Sequence, residues 1–167
     1  RSLDVCAHEM SHAITQFTCN LWYYGQSGML NESFSDIMGI ACKHWASKEF
    51  DPATANWLIG DDIVGPGFPG KAIRSFKDEK AYKGDSQPKH KKDLKFMMSD
   101  NGGVHIGSGI PNHQFYLLCG ILNRPSYDQP AQIVYKAHTE KLKSWSNFKD
   151  AAKAQHAAAL ELYGYKE

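Results

Sequence analysis

The sequence lacks a long apolar run and lacks an excess of charge of one sign. No stretch approaches the roughly 18 consecutive apolar residues of a membrane helix, and the opening RSLD segment contains no apolar signal core. Its 19 basic and 18 acidic residues leave a formal net charge of +1. Because this balance does not favour nucleic acid or an anionic membrane surface, we expect neither as a partner.

Cysteine is also scarce, and no two cysteines have CxxC spacing. The four cysteines exclude a zinc ribbon and are too few for a disulfide scaffold at this length. Their apolar neighbours in the sequence predict buried free thiols, although a disulfide in an exported protein stays open. The residues concerned are Cys6, Cys19, Cys42 and Cys119. The 167 residues, 42% of them hydrophobic, suit one globular domain.

Apolar residues recur at helical spacing, and no convincing set of strands is present, so the expected fold class is mainly α. Asn31 is expected to cap the second helix, and Ser146 or Asn147 the last. The segment between the second and third helices is rich in Gly, Pro, Asp and Lys, which predicts a long irregular loop region. The predicted helices cover about residues 4–24, 31–48, 105–122, 129–145 and 148–163, with turns at 25–28 and 100–103.

The first predicted helix carries an HExxH sequence, His8 to His12. Positions four apart lie about 40° from each other around a helix, so both imidazoles project from one face and can bind one cation. Glu9 lies to the side of that face, where a base for a metal-bound water belongs. The alternative is an amphipathic helix with two hydrogen-bonded histidines and no metal.

A third ligand and two supporting residues occur in the next segment. A catalytic zinc site uses three protein ligands and one open position, and a carboxylate is a usual third ligand. Glu32 is expected to open the second helix, which a tight turn would fold back toward the first. Asp36, one helical turn beyond, and Asn31 are suitably placed to accept hydrogen bonds from the zinc-binding histidines.

Several segments together resemble the thermolysin-like family of zinc metallopeptidases, in the family's order and over essentially the whole chain. The resemblance implies that residues 1–167 are the family's helical C-terminal domain, of the zincin fold. The main segments are DVCAHEMSH at 4–12, GMLNESFSD at 28–36 and DNGGVHIGSG at 100–109, and shorter ones are WLIGDD at 57–62, AIRS at 72–75 and FKDAA at 148–152.

The resemblance implies a metal site in which His8, His12 and Glu32 hold zinc and Glu9 acts as general base toward the water that is the fourth ligand. The zinc would also polarise the scissile carbonyl.

The resemblance also implies substrate-binding roles. His105 would donate a hydrogen bond to the oxyanion, Asp100 would orient His105, and Tyr23 would be the second oxyanion donor. Arg74 would bind a main-chain carbonyl of the substrate. Without the resemblance, His105 and Tyr23 would be assigned structural roles and Arg74 would be a surface charge. The hydrophobic pocket on the primed side would include Ile73 and Val5.

One departure from the family concerns calcium. Lys43, Asn56 and Leu58 occupy positions where calcium-binding members carry carboxylates. Calcium needs six to eight oxygen ligands, and an ammonium group brings positive charge to the same place. We therefore expect the double calcium site to be absent and Lys43 to pair with Asp4 or Asp61.

A second departure is that family enzymes have an N-terminal, strand-rich domain that forms the opposite wall of the cleft, and this chain contains none of it. The first functional hypothesis is a zinc-dependent endopeptidase domain that prefers hydrophobic residues on the primed side. The alternative is a non-catalytic or incompletely active zinc-binding module that needs the missing N-terminal half. The expected partners are a peptide or protein substrate and the missing N-terminal domain or a propeptide. The family is largely exported, so secretion is expected, while an intracellular location stays open because of the free thiols.

Overall fold

The computed structural model describes residues 2–77 and 79–164 and is mainly helical, which confirms the predicted fold class. None of the helices among these residues has both the length and the apolar character needed to span a bilayer. The helices are α1 (Leu3–Phe17), α2 (Gly25–Ser47), α3 (Asp100–Gly107), α4 (Gly109–Leu122), α5 (Gln129–Lys136), continued by a π-helical turn (Ala137–Lys141), and α6 (Phe148–Tyr163); the strands are β1 (Leu58–Ile59) and β2 (Arg74–Ser75).

Helix α2 is the central element, because α1, α3, α4, α5, α6 and β1 all pack against it. It approaches α1 so closely that a Cβ atom at Gly39 would lie 2.6 Å from the Asp4 carbonyl oxygen. Along most of its length α2 is buried, and the buried residues include polar ones such as Glu32 and Asp36. This helix therefore carries polar side chains into the interior.

The core on one side of α2 is built around an aromatic cluster. Phe34, Trp57, Phe76 and Phe115 are buried together with aliphatic residues of α2 and β1. The Trp57 indole donates a hydrogen bond of 2.8 Å to the Pro52 carbonyl oxygen. The predicted irregular region is thus anchored by buried aromatic residues and by the antiparallel pairing of β1 with β2.

The predicted boundary between the first two helices was wrong. Helix α1 ends at Phe17, and Asn20, whose φ of 47° is left-handed, turns the chain away. Residues 25–28 form the first turn of α2 rather than a separate turn, so Asn31 and Glu32 lie inside the helix. Tight packing determines this path, because a side chain at Gly28 would collide with Val104.

Two other predicted helices also differ from the structure. The predicted helix over 105–122 is divided between α3 and α4, and the one over 129–145 ends in the π-helical turn.

All four cysteines are free, but Cys6 and Cys42 are exposed because they lie on the outer faces of α1 and α2. Cys19 and Cys119 are buried as predicted, and burial raises the pKa of Cys119 to about 12.

The N-terminus of α6 generates a stability prediction. The Asn147 side chain accepts hydrogen bonds from the backbone N–H groups of Lys149 and Asp150, and Asp150 accepts one in return from the Asn147 N–H. Replacing Asn147 with Ala leaves these donors uncapped, so we expect the free energy of unfolding to fall by about 1 kcal/mol in thermal or urea denaturation. Lys149→Ala, at the exposed neighbouring position, should change it by less than about 0.5 kcal/mol. Equal effects of the two substitutions would contradict the capping role.

Candidate metal centre

The two histidines of the HExxH segment lie on one face of α1, and α2 orients both rings. His8 Nδ1 is 2.8 Å from Asp36 Oδ1, and His12 Nδ1 is 2.8 Å from Asn31 Oδ1. A carboxylate or amide oxygen can only accept, so each Nδ1 donates and each neutral ring presents an unprotonated Nε2. The two Nε2 atoms are 3.2 Å apart. They can therefore bind the same cation.

Glu32 supplies the third donor. Its carboxylate is 1% exposed, with Oε2 at 3.6 Å from His8 Nε2 and Oε1 at 3.4 Å from His12 Nε2. Donor atoms of a tetrahedral zinc site, with bonds of about 2.0–2.2 Å, lie about 3.3 Å from one another. Within the described residues no hydrogen bond reaches Glu32 Oε2, and a buried acceptor without a partner is costly. The spacing and the unsatisfied oxygen both fit zinc.

Arg74, on β2, lies against the carboxylate that orients His8. Its Nε and Nη2 atoms donate to Asp36 Oδ2 and Oδ1 at 2.8 and 2.7 Å. Burial alone would raise the pKa of Asp36, but the Arg74 charge and the His8 hydrogen bond hold it well below the usual range. Arg74 is thus mostly buried rather than a surface charge, and its ion pair with Asp36 was not predicted.

Tyr23 and His105 meet at the Glu32 carboxylate. The Tyr23 hydroxyl donates to Glu32 Oε1 and lies 3.3 Å from His105 Nε2, which is 3.4 Å from Glu32 Oε2. Burial and the negative charge of Glu32 raise the pKa of Tyr23, so the phenol keeps its proton at neutral pH. Asp100 Oδ1 is 2.5 Å from His105 Nδ1. The two side chains can therefore converge on one oxygen atom.

His105 follows a short stretch of left-handed backbone. Asp100, Asn101, Gly102 and Gly103 have φ values of 55°, 50°, 83° and 82°. This conformation costs about 1–2 kcal/mol for each residue that has a Cβ. Asp100 offsets part of the cost, because its Oδ2 accepts a hydrogen bond of 2.9 Å from the His105 N–H. The turn and the side chain of its first residue together orient the imidazole.

The remaining predicted site residues are less closely joined to the metal donors. Glu9 is exposed and lines an open cavity of about 580 Å³ together with His12 and Tyr23. Val5 packs at the edge of the aromatic core, and Ile73 lies over Gly60. Neither of these two residues lines that cavity.

A second polar cluster lies at the start of α1. Lys43 Nζ contacts Asp61 Oδ1, lies 3.3 Å from Asp4 Oδ2 and donates a 2.8 Å hydrogen bond to the Leu58 carbonyl. Burial would raise the pKa of Asp4, but hydrogen bonds from Ser2 and the Gly60 N–H and the charge of Lys43 lower it. Because the folded-state pKa is lowered, ionised Asp4 stabilises the fold at neutral pH and this contribution is lost as the pH falls through the acid range.

One buried residue of the centre has no counterpart in the sequence predictions. Asn112, on α4, donates from Nδ2 to Asp36 Oδ2 at 2.8 Å. A single asparagine within an apolar helical segment gives no signal of this contact.

Comparison with known proteins gives consistent matches. A family model described as the alpha-helical domain of thermolysin metallopeptidase matches residues 19–167, a range that begins after the HExxH segment. Extracellular elastase of Staphylococcus epidermidis is 42% identical over 161 residues, covering 96% of this chain and 29% of that protein. Bacillolysin of Brevibacillus brevis is 41% identical, covering 97% of this chain and 30% of that protein.

A solved structure, the precursor of protealysin, a metalloproteinase from Serratia proteamaculans, matches with a TM-score of 0.93 and 34% identity. The alignment covers 99% of this chain and 53% of that one. The chain thus spans about half of that structure and less than a third of the two relatives above.

The left-handed turn generates a prediction about Gly102. With φ at 83°, a Cβ atom there would be strained and would also lie 3.1 Å from the Gly25 nitrogen. We expect Gly102→Ala to lower the free energy of unfolding by about 1–2 kcal/mol and to displace the His105 ring, detectable as a changed imidazole NMR signal. Gly67→Ala is the matched control, because nothing lies within 4 Å of a Cβ at that position. Unchanged stability and an unchanged His105 signal in Gly102→Ala would contradict this account.

Proposed function

This chain belongs to the thermolysin family of metallopeptidases, and on that premise we propose that it forms the zinc-binding, catalytic part of an endopeptidase. The observation that carries the proposal is the arrangement of His8, His12 and Glu32, whose donor atoms lie within 4.8 Å of one another. This group is bordered by Glu9, which is exposed on α1, and by Tyr23 and His105. A structural zinc site would have four protein ligands and no use for a base.

Zinc would be held by His8, His12 and Glu32, and when bound it supplies a water of lowered pKa and polarises the substrate carbonyl. The protein residues then transfer protons. Glu9 accepts a proton from the attacking water on its carboxylate and delivers it to the leaving amine nitrogen. Asp36 and Asn31 keep the proton of each histidine on Nδ1, so that both Nε2 atoms stay available for the metal.

Tyr23 and His105 would donate hydrogen bonds to the carbonyl oxygen as it gains negative charge. Asp100 accepts the Nδ1 proton of His105 and orients the ring, so donation from Nε2 requires that both ring nitrogens carry a proton. The Tyr23 hydroxyl oxygen and His105 Nε2 are 3.3 Å apart, which suits two donors that share one acceptor. Removing one donor of this kind typically lowers kcat by about 10²–10³. The phenol suits the role because it stays protonated at neutral pH.

Arg74 would bind a substrate main-chain carbonyl through the guanidinium N–H groups that Asp36 does not engage. Val5 and Ile73 would contribute to a hydrophobic primed-side pocket. Because the chain covers 29% of the elastase and 53% of the protealysin precursor, we propose that a separate segment, an N-terminal domain or propeptide, completes the cleft. Two relatives are described as extracellular proteins, which supports secretion.

Replacing Glu9 separates an enzyme from a non-catalytic zinc module. At equal zinc occupancy, Glu9→Ala should lower peptide hydrolysis by about 10²–10⁴-fold, because the general base is lost while the ligands remain. Glu140→Ala removes another exposed glutamate, outside the site, and should leave the rate unchanged. A module without catalytic function would be indifferent to both substitutions. Zinc content is measured by elemental analysis of each variant.

We also propose that Lys43 takes the place of a calcium ion. Lys43→Ala leaves Asp4 and Asp61 without their cation, so the free energy of unfolding should fall by roughly 3 kcal/mol and added calcium should restore part of it. Lys71→Ala, which breaks an exposed pair with Glu79, should have little effect. Thermal denaturation with and without calcium measures both. A large calcium-dependent stabilisation of the unsubstituted protein, reversed by mild chelation, would refute the proposal.

A further inference from the structure

We propose that Asn112 is a positioning residue of the metal centre: it fixes the orientation of the Asp36 carboxylate that orients both His8 and Arg74. The inference rests on the proposed function and extends it to a residue on α4 that touches neither the metal donors nor the open cavity.

The orientation of the Asn112 amide follows from its two partners. Asp36 Oδ2 can only accept, so the Asn112 nitrogen must face it, at 2.8 Å. The amide oxygen then faces Ser33, whose hydroxyl donates to it at 2.7 Å. The direction of both hydrogen bonds is therefore fixed, and Ser33 holds the amide that in turn holds Asp36.

The Asp36 carboxylate is fully engaged only when Asn112 is present. Its Oδ1 accepts from His8 Nδ1 and Arg74 Nη2, and its Oδ2 accepts from Arg74 Nε and Asn112 Nδ2. Two carboxylate oxygens offer about four acceptor sites, so the set is complete. With two donors on each oxygen, rotation of the carboxylate would strain contacts on both sides.

Because both residues are buried, water cannot replace the hydrogen bond that Asn112 donates to Asp36. Asp36 and Asn112 are both 0% exposed. Without the amide, Oδ2 would keep only the Arg74 Nε donor, and the carboxylate would tilt toward the guanidinium. Because His8 Nδ1 donates to the other oxygen of the same group, such a tilt would reorient the imidazole and its metal-binding Nε2.

The hydrogen-bonded chain begins at Ser33, next to the third zinc donor in the sequence. Ser33 is adjacent to Glu32, and Asp36 lies one helical turn further along α2. Asn112 therefore ties the part of α2 that carries the carboxylate ligand to the residue that orients His8. A purely structural residue would affect stability alone, whereas a positioning residue must also affect metal affinity and the state of His8.

The test is Asn112→Leu, which has a similar volume but no donor. In the whole protein, we expect the zinc dissociation constant, measured by competition with a chelator, to rise about tenfold, at the low end for residues that orient metal ligands. In the metal-free protein, the His8 Nδ1 proton, followed by NMR, should exchange faster with solvent. Ser126→Ala is the matched control: it removes a buried hydroxyl bonded to His44 Nδ1, outside the network, and should leave both measurements unchanged.

Ser33→Ala keeps the Asn112 donor but removes its support, so it should raise the zinc dissociation constant by a smaller factor. If Asn112→Leu does not fold, this variant decides the question through the same two measurements. Unchanged affinity and unchanged His8 exchange in the folded variant would overturn the positioning role. Absence of zinc binding by the unsubstituted protein, with His8 still responding to Asn112→Leu, would instead refute the proposed function while supporting the role of Asn112.

Discussion

The fully buried carboxylate of Asp36 is the constraint on which the rest of the centre depends. An unpaired charge at this depth would cost several kcal/mol, so the fold must bring it a cation and hydrogen-bond donors. It does so from three directions, with His8 from α1, Arg74 from β2 and Asn112 from α4. Satisfying this one group therefore fixes three separate elements around α2, and the face of α1 that carries the metal donors is fixed with them.

Burying the polar side chains of α2 costs free energy, and this cost is concentrated at the candidate metal centre. Glu32 keeps one buried oxygen without a hydrogen bond in the described structure, which is the kind of local inconsistency expected at a functional site. Away from the site, the same helix buries Phe34 and Ile40 in the aromatic core around Trp57. The aromatic core thus offsets the unsatisfied polar positions and keeps the donor atoms in place.

Local patterns in the sequence were enough to predict some features and not others. The helical period and the HExxH spacing predicted the mainly α fold and the shared face of His8 and His12. The boundary between α1 and α2 was mispredicted because Asn20 turns the chain with a left-handed φ and Gly28 packs the first turn of α2 closely against Val104. A hydrogen bond from a zinc-binding histidine to Asp36 was predicted, but its other partners, Arg74 and Asn112, lie 38 and 76 positions away, so no local pattern reveals them. The resemblance supplied roles for Tyr23, Arg74 and His105, but it gave no indication of the ion pair or of Asn112.

The left-handed turn before His105 has a consequence for chirality. Through residues 100–103 the backbone adopts torsion angles that are natural for D-amino acids, so this short stretch is a local mirror image of the helices around it. A D-residue introduced at Gly102 by chemical ligation would meet its preferred backbone angles, where an L-residue is strained. The handedness of the backbone, as much as the chemistry of any side chain, thus limits which sequences can present the imidazole at this position.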